Sequence, residues 1–121
     1  MRSFERAALE DDPEKRRELL TFAIVGGGPT GVEYAGALRE LINRPLRRDF
    51  PALEFDEVRV VLVEGSDQLL GMFSPELGAY TQKTLERKGV EVLLGRFVDE
   101  VSADSITFSD TSTLKTQTVI W

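Results

Sequence analysis

A glycine-rich turn between an apolar segment and a helix-patterned segment constrains the fold of this chain more than any other feature. The segment Leu20–Val25 is almost continuously apolar, as buried parallel strands are. It runs directly into Gly26-Gly27-Gly28-Pro29-Thr30-Gly31, after which apolar residues recur at helical spacing. A strand, a tight glycine turn and a helix start, in this order, predict a loop that holds the pyrophosphate of a dinucleotide.

Three glycines of this loop have different predicted roles. Gly26 permits a turn at backbone angles that other residues resist. Gly28 lacks a Cβ, so the backbone can approach the phosphates closely, and Gly31 lets the helix pack close to the strand. The backbone amides at the start of the helix then face the anion, helped by the positive end of the helix dipole.

The remaining pattern predicts a βαβαβ unit followed by a small meander and one more strand. The predicted strands of the unit are Leu20–Val25, Val58–Val63 and Val90–Leu94, and its helices run from Pro29 or Thr30 to Asn43 and from Ser74 to Lys88, with Gly89 as the stop. Short β-like runs are predicted at Phe97–Val101, Ser105–Ser109 and Leu114–Thr118, and Val119–Trp121 is predicted as a buried strand with Trp121 in the core. The expected fold class is α/β: a Rossmann-like parallel sheet with helices on both faces, plus a small antiparallel β-meander.

The first residues of the chain differ in composition from the rest. Residues 4–20 are dense in charge, sparse in apolar side chains and interrupted at Pro13, which predicts one or two short helices lying on the surface. We therefore expect a leader or linker at residues 1–19 and a nucleotide-binding domain at residues 20–121. The charged stretch at residues 44–57 predicts an irregular connection, with Arg44, Arg47 and Arg48 in a solvated loop.

Composition excludes several classes of function. The formal net charge of −6 argues against a nucleic-acid partner, since phosphate backbones require basic patches. No apolar run approaches the roughly 18–20 residues that a membrane helix needs, and the first 20 residues are too charged for a signal peptide. The chain contains neither cysteine nor histidine, so disulfides, thiolate chemistry and the commonest acid–base group are absent, and no metal site is predicted. These features are typical of a domain that holds a ligand rather than one that performs chemistry on it.

Glu64 is the candidate partner of the dinucleotide's adenosine ribose. It lies at the end of the second predicted strand, where an acid accepts hydrogen bonds from the ribose hydroxyls in this fold. Residues 65–82 contain no lysine or arginine, so a 2′-phosphate would meet a carboxylate without a compensating cation. The sequence therefore favours NADH over NADPH. The alternative is that Glu64 is simply a surface carboxylate at the end of a strand.

Glu33 has two interpretations that spacing alone leaves open. It lies about one turn into the first predicted helix, close to where the nicotinamide end of a dinucleotide would be. It also stands three residues after Thr30, which fits a capping box, and an acid near a helix N-terminus is favourable in any case.

The chain resembles the NADH-binding domain of type II NADH dehydrogenases, flavoenzymes of the pyridine nucleotide-disulfide oxidoreductase superfamily. The resemblance covers nearly the whole chain. It depends on these residues: Val25–Glu33, Ala35-Gly36, Val61–Glu64, Leu69-Leu70, Phe73, Gly89–Val92 and Thr118–Trp121. It implies cofactor contacts at Gly26, Gly27, Gly28, Pro29, Thr30, Gly31, Glu33 and Glu64. Within that set, it assigns the pyrophosphate to the glycine loop, the ribose to Glu64 and the nicotinamide to the neighbourhood of Glu33.

The resemblance also implies partners outside this chain. In that family the NADH domain is inserted in an FAD domain, hydride passes from NADH to FAD, and a quinone is the final acceptor. The chain would then be an excised fragment, inactive alone and without membrane contact of its own, from a protein on the cytoplasmic side that is peripheral on the inner face of the plasma membrane. Two alternatives stay open: the same domain from a disulfide reductase or ferredoxin reductase-like flavoenzyme, and a stand-alone nucleotide-binding module.

Overall fold

The computed structural model describes residues 2–51 and 55–121. Its helices are α1 (Arg2–Leu9), α2 (Pro13–Leu19), α3 (Pro29–Leu41), α4 (Arg47–Asp49) and α5 (Pro75–Lys88), with a π-helical segment at Ile42–Leu46 and a 3₁₀ turn at Phe55–Glu57. Its strands are β1 (Thr21–Val25), β2 (Arg59–Val63), β3 (Val90–Leu93), β4 (Val98–Val101), β5 (Ser105–Phe108), β6 (Thr113–Lys115) and β7 (Thr118–Ile120).

The strands form two sheets, as the sequence predicts. The larger sheet has the order β3-β2-β1-β7, and every neighbouring pair is parallel. The smaller sheet has the order β4-β5-β6 and is antiparallel throughout. The predicted succession of a βαβαβ unit, a meander and a last strand is therefore confirmed, and β7 returns beside β1 in the large sheet.

Alternate residues of β1 and β2 enter two separate cores. The first core combines residues of the helices with these strand residues: Phe22, Ile24, Val60 and Leu62. The second core combines residues of the meander with the residues between them: Ala23, Val61 and Val63. Among the described residues, no helix residue belongs to the second core. The expectation of helices on both faces is thus wrong, because the meander's own apolar side needs burial and covers that face.

The first two helices are part of the core rather than a surface leader. Phe4 and Leu20 are fully buried, and Ala7 and Leu19 are nearly so. The Phe4 ring stacks on that of Phe22 in β1, with 5.7 Å between the ring centroids. The prediction that residues 4–20 lie on the surface is therefore wrong. Their few apolar side chains fall on one side of the helices, and that side packs against the sheet. The division of the chain at residue 19 stays a prediction.

Helix α3 continues further than predicted. Its α-helical part ends at Leu41, but a π-helical turn and α4 carry the chain in helical form to Asp49, where an irregular connection was expected from Arg44 onward. Ile42 and Leu46 lie one turn apart, and both side chains are buried in the core that the helices share with β1 and β2. Their burial holds the segment in place. The wider π turn accommodates Pro45, which has no backbone N–H to donate. Arg44 and Arg48 are exposed as predicted, and the side chain of Arg47 lies outside the described set.

Helix α5 begins and ends as the sequence predicts. The Ser74 hydroxyl accepts a hydrogen bond from the backbone N–H of Leu77, at 3.2 Å, and Pro75 occupies the first helical position. Gly89 ends the helix in the left-handed conformation, with φ of 102°. The turn into β3 therefore requires glycine at position 89.

Candidate functional site

The glycine loop lies at the edge of the large sheet where its parallel strands end. Gly26 follows β1 directly, and its N–H donates to the carbonyl oxygen of Val63, the last residue of β2, at 2.8 Å. Its φ of 116° is one that residues with a Cβ rarely adopt, which is the role the sequence predicts for it. In open α/β sheets this edge is where ligands bind.

Two glycines of the loop have opposite surroundings. A Cβ at Gly31 would overlap the carbonyl oxygen of Gly26, so only glycine allows the helix to begin this close to the loop. A Cβ at Gly28 would meet nothing within 4 Å, so the space beside it is open. Gly28 is the N-cap of α3, and the N–H groups of Thr30 and Gly31 lie in the first turn, where a helix provides no acceptor for them. An open space faced by such donors suits an anion.

The Gly27 peptide is fixed on both sides by the segment that follows β2. Its N–H donates to Glu64 Oε1 at 2.8 Å, and its carbonyl oxygen accepts from the N–H of Leu70 at 2.8 Å. Leu70 has a positive φ of 52°, which brings its N–H to this position at some conformational cost. A Cβ at Gly27 would lie 2.7 Å from the Leu69 side chain, so the two segments are in close contact.

Glu64 links the two segments through its carboxylate. While Oε1 accepts from Gly27, Oε2 accepts from the N–H of Ser66 at 2.7 Å. Burial acts to raise the pKa of Glu64, but backbone donors at Ser66, Gly27 and Gly65 outweigh it, so the pKa lies below its ordinary value. The group is therefore an ionised acceptor at neutral pH.

Two adjoining cavities follow this edge of the sheet. One, of about 250 Å³, is lined by Gly28, Pro29, Thr30 and Tyr34 together with Trp121. The other, of about 280 Å³, lies on the meander side and is lined by Glu64 and Phe97, and again by Trp121. Both also reach Val25 and Gly26, so together they pass along the ends of β1 and β2.

Trp121 is not a core residue, contrary to the prediction. It is 74% exposed and borders both cavities, because β7 ends at Ile120 and the next residue passes the edge of the sheet. Its exposed position at the border of both cavities rules out packing in the core.

Glu33 lies apart from the other candidate residues. It is exposed and lines a groove of about 360 Å³ between α3 and α5, where Tyr80 and Lys88 also lie. The predicted capping box is wrong, because the N-cap of α3 is Gly28 and Thr30 is already inside the helix. The proximity of Glu33 to a nicotinamide stays a prediction.

Sequence reasoning missed two residues at the site, Arg96 and Phe97. Both follow β3 in the chain, outside the range searched for cations near Glu64. The Arg96 guanidinium donates to Ser112 Oγ at 2.7 Å and lies 4.3 Å from the centre of the Phe108 ring, so its charge is directed toward the meander. No local motif marks these residues, and only the pairing of β3 with β2 brings them beside Glu64.

A larger cavity lies at the opposite edge of the sheet from the glycine loop, where the strands begin. Its volume is about 440 Å³, and it is lined by Thr21 and Arg59, the first residues of β1 and β2, and by charged residues of α2. Both signs of charge are mixed there, including Glu14, Glu18 and Arg17. The loop donors, the ionised acceptor and the two adjoining cavities make the carboxyl edge of the strands the better candidate site.

Comparison with known proteins agrees with this geometry. The family model described as pyridine nucleotide-disulphide oxidoreductase matches residues 1–121. The chain belongs to this family. It is 39% identical over 108 residues to the type II NADH:quinone oxidoreductase Ndh of Mycobacterium tuberculosis, which covers 89% of this chain and 23% of that protein. It is also 39% identical over 106 residues to the external alternative NADH-ubiquinone oxidoreductase of Yarrowia lipolytica, covering 88% of this chain and 18% of that protein.

Solved structures extend the likeness to three dimensions. The structure of NDH2 from Plasmodium falciparum in complex with NADH matches 99% of this chain and 26% of its own, with a TM-score of 0.89 and 26% identity. A ferredoxin reductase from Rhodopseudomonas palustris matches with a TM-score of 0.66 and 19% identity, which shows a shared fold alone. The chain spans about a fifth to a quarter of the length of the proteins that it matches.

Among residues 2–51 and 55–121, no helix has both the length and the apolar composition that a membrane span needs.

Proposed function

We propose that this chain is the NADH-binding domain of a flavin-dependent NADH:quinone oxidoreductase. The observation that carries the proposal is the Glu64 carboxylate, which is hydrogen-bonded to the Gly27 N–H and so is built into the loop that would hold the pyrophosphate. The type II relatives and the NADH complex of Plasmodium falciparum support the same conclusion.

The residues present fit an NADH molecule lying across the ends of the strands. The pyrophosphate would lie in the open space beside Gly28, facing the first-turn N–H groups of Thr30 and Gly31. The adenosine ribose would donate its hydroxyls to Glu64, whose lowered pKa keeps it an acceptor. Each of these contacts uses a polar group that the fold has already positioned, so little ordering is needed on binding.

The nicotinamide end of NADH would lie in the cavity bordered by Tyr34 and Trp121, on the β7 side of the loop. NADH supplies the hydride, and the task of this chain is to bind and orient the ring. We place Glu33 near this end by the pattern of the family, and its exposed position on α3 leaves it accessible to a neighbouring domain.

The acceptor and the location follow from the same proposal. The hydride would pass to FAD held on another domain of the full-length protein, and a quinone would be the final acceptor, as the names of the relatives indicate for them. The proposed location is the cytoplasmic side, with the whole protein peripheral on the inner face of the plasma membrane.

The proposal predicts that the chain binds NADH more tightly than NADPH. A 2′-phosphate would be placed against the ionised Glu64, while the nearby Arg96 guanidinium is directed toward Ser112. Isothermal titration of both cofactors measures the two Kd values. Equal affinities, or tighter binding of NADPH, would contradict the assignment of Glu64.

A substitution of Glu64 tests the same assignment. We expect Glu64→Ala to weaken NADH binding by about 1–3 kcal/mol, the usual cost of losing a charged hydrogen-bond partner. Glu86→Ala, at an exposed carboxylate near the end of α5, changes the net charge equally and should leave the Kd unchanged.

A further inference from the structure

Phe97 is an exposed aromatic residue held directly beside Glu64. It precedes β4 and is 63% exposed, a high fraction for so large an apolar side chain. Its ring lies against Gly65: a Cβ at that position would be 2.6 Å from Phe97 Cε1 and 2.8 Å from Cδ1. The ring therefore occupies the space that a side chain at position 65 would need.

Backbone hydrogen bonds fix Phe97 relative to Glu64. The N–H of Gly95 donates to the carbonyl oxygen of Ser66 at 2.8 Å, and the N–H of Arg96 donates to that of Glu64 at 3.1 Å. On the other side, the carbonyl oxygen of Phe97 accepts from the N–H of Ser109 in the meander, at 3.0 Å. The loop carrying the ring is thus tied to the segment carrying the carboxylate, which makes the pair a preformed unit.

The ring and the carboxylate line the same cavity of about 280 Å³. A ribose bound to Glu64 carries its base on the neighbouring carbon, so the base lies within the length of one sugar from the carboxylate. A planar base that enters this cavity meets an exposed aromatic ring, and base–aromatic stacking stabilises such contacts.

We infer that Phe97 is the stacking platform for the adenine of the bound dinucleotide, and that Gly65 is glycine to make room for the ring. This inference deepens the proposed function and rests on it. Phe97 thereby contributes to affinity for the adenosine half of the cofactor, while the glycine loop and Glu64 hold the pyrophosphate and the ribose.

The test uses NADH and ADP-ribose, which share the adenosine and the pyrophosphate but differ in the nicotinamide. Phe97→Leu keeps an apolar side chain against Gly65 and removes the aromatic ring. It should raise the Kd for both ligands by the same factor, between roughly 5- and 140-fold. Phe97→Trp should keep the Kd within about threefold of that of the original chain. Tyr80→Leu, at an aromatic residue of similar exposure on α5, is the matched control and should leave the Kd for ADP-ribose, which has no nicotinamide, unchanged.

A double substitution tests the role of Gly65. Gly65→Ala should displace the ring and weaken both ligands, and the same substitution in the Phe97→Leu chain should have a much smaller effect. Circular dichroism and urea unfolding of each variant separate a loss of stacking from a loss of folding.

The outcomes distinguish the inference from the proposed function. If the chain binds NADH and Phe97→Leu changes neither Kd, or if Phe97→Leu and Phe97→Trp weaken binding equally, the stacking role is overturned and the proposed function stands. If ADP-ribose binds through Phe97 while NADH does not bind, the stacking role stands and the proposed function fails. Binding of neither ligand overturns both.

Discussion

Single residues at the carboxyl edge of the sheet combine a structural role with the binding role that we propose, and Glu64 is the clearest case. Its two oxygens accept from Gly27 and Ser66, so it joins the glycine loop to the segment after β2 before any ligand is present. Removing its charge should therefore change stability as well as affinity. This combination explains why the residue follows a strand directly, where the backbone is rigid and the side chain's direction is fixed.

We predict that Glu64→Gln lowers the free energy of unfolding by about 1–2 kcal/mol at pH 7, at the low end of the charged-group range because the residue is partly exposed. An amide has one acceptor oxygen and would place an NH₂ group against one of the two N–H donors. Urea unfolding of both chains measures the difference. A Glu64→Gln variant as stable as the original chain would mean that these hydrogen bonds do not stabilise the fold.

The difference in unfolding free energy between the original chain and Glu64→Gln should change with pH in a defined direction. The pKa of Glu64 is lower in the folded chain than the value of about 4.3 for an unfolded glutamate. Its contribution is therefore fully present above about pH 4.3 and is lost as the pH falls through the lower folded-state pKa. The stability difference between the two chains should shrink over that acidic window, and a difference that grows there would contradict the assigned pKa direction.

At the scale of elements, helix α1 is attached to the sheet more firmly than its sequence indicates. Phe4 contacts both Phe22 and Phe50, with ring centroids 5.7 and 5.8 Å apart. Ser3 is hydrogen-bonded to Thr118, the first residue of β7, and Glu18 in α2 accepts hydrogen bonds from Gln117, which precedes that strand. These contacts attach both N-terminal helices to the large sheet.

We predict that Phe4→Ala lowers the free energy of unfolding by about 3–5 kcal/mol, the range for a fully buried aromatic residue. Leu9→Ala is the control on the same helix, since Leu9 is 85% exposed and its loss should cost no more than about 0.5 kcal/mol. Chemical denaturation of both variants provides the comparison. Equal small effects would show that α1 is a detachable leader after all.

The sequence predicts the elements that local patterns specify and fails where distant segments decide. The ends of α5 at Ser74 and Gly89 could be predicted because a cap and a left-handed glycine act within one turn. The glycine loop could be predicted for the same reason. The face of the large sheet that the meander covers could not be predicted, because it depends on how segments that are distant in the sequence pack against each other. The burial of the few apolar residues in residues 4–20 was not predicted, because charged residues dominate that segment.

The candidate site likewise contains residues that the sequence predicts and residues that it does not. Residues adjoining the ends of β1 and β2 were predictable, because parallel strands bring their carboxyl ends to one edge. Phe97 and the exposed position of Trp121 were not, since each depends on how a later segment returns to that edge. Glu33 shows the limit of a motif: its spacing fits two roles, the structure excludes the capping box, and its proximity to a nicotinamide stays a prediction.

At the scale of the whole molecule, the chain carries one dinucleotide fingerprint, which we propose holds NADH. It contains no cysteine or histidine to replace a redox or acid–base group. Hydride transfer needs an acceptor held within about 3–3.5 Å in a fixed orientation. Binding and turnover should therefore separate in this chain.

We predict that the purified chain is colourless and does not accelerate NADH oxidation by an added quinone. The visible absorption spectrum and the loss of NADH absorbance in the presence of quinone are the measurements. A yellow preparation with bound flavin, or quinone-dependent NADH consumption that disappears in a Gly28→Val variant, would show that a complete active site lies within these residues.

The most direct test of the central claim, that the glycine loop binds the NADH pyrophosphate, is calorimetric titration of NADH into the original chain and into Gly28→Val. Gly28 has an ordinary φ of −78°, and a Cβ there meets nothing within 4 Å, so valine should leave the fold intact while filling the space that the pyrophosphate needs. We predict saturable binding to the original chain and no measurable binding to the variant, with the same circular dichroism spectrum for both. A natively folded variant that binds NADH with unchanged Kd would contradict the assignment of the loop.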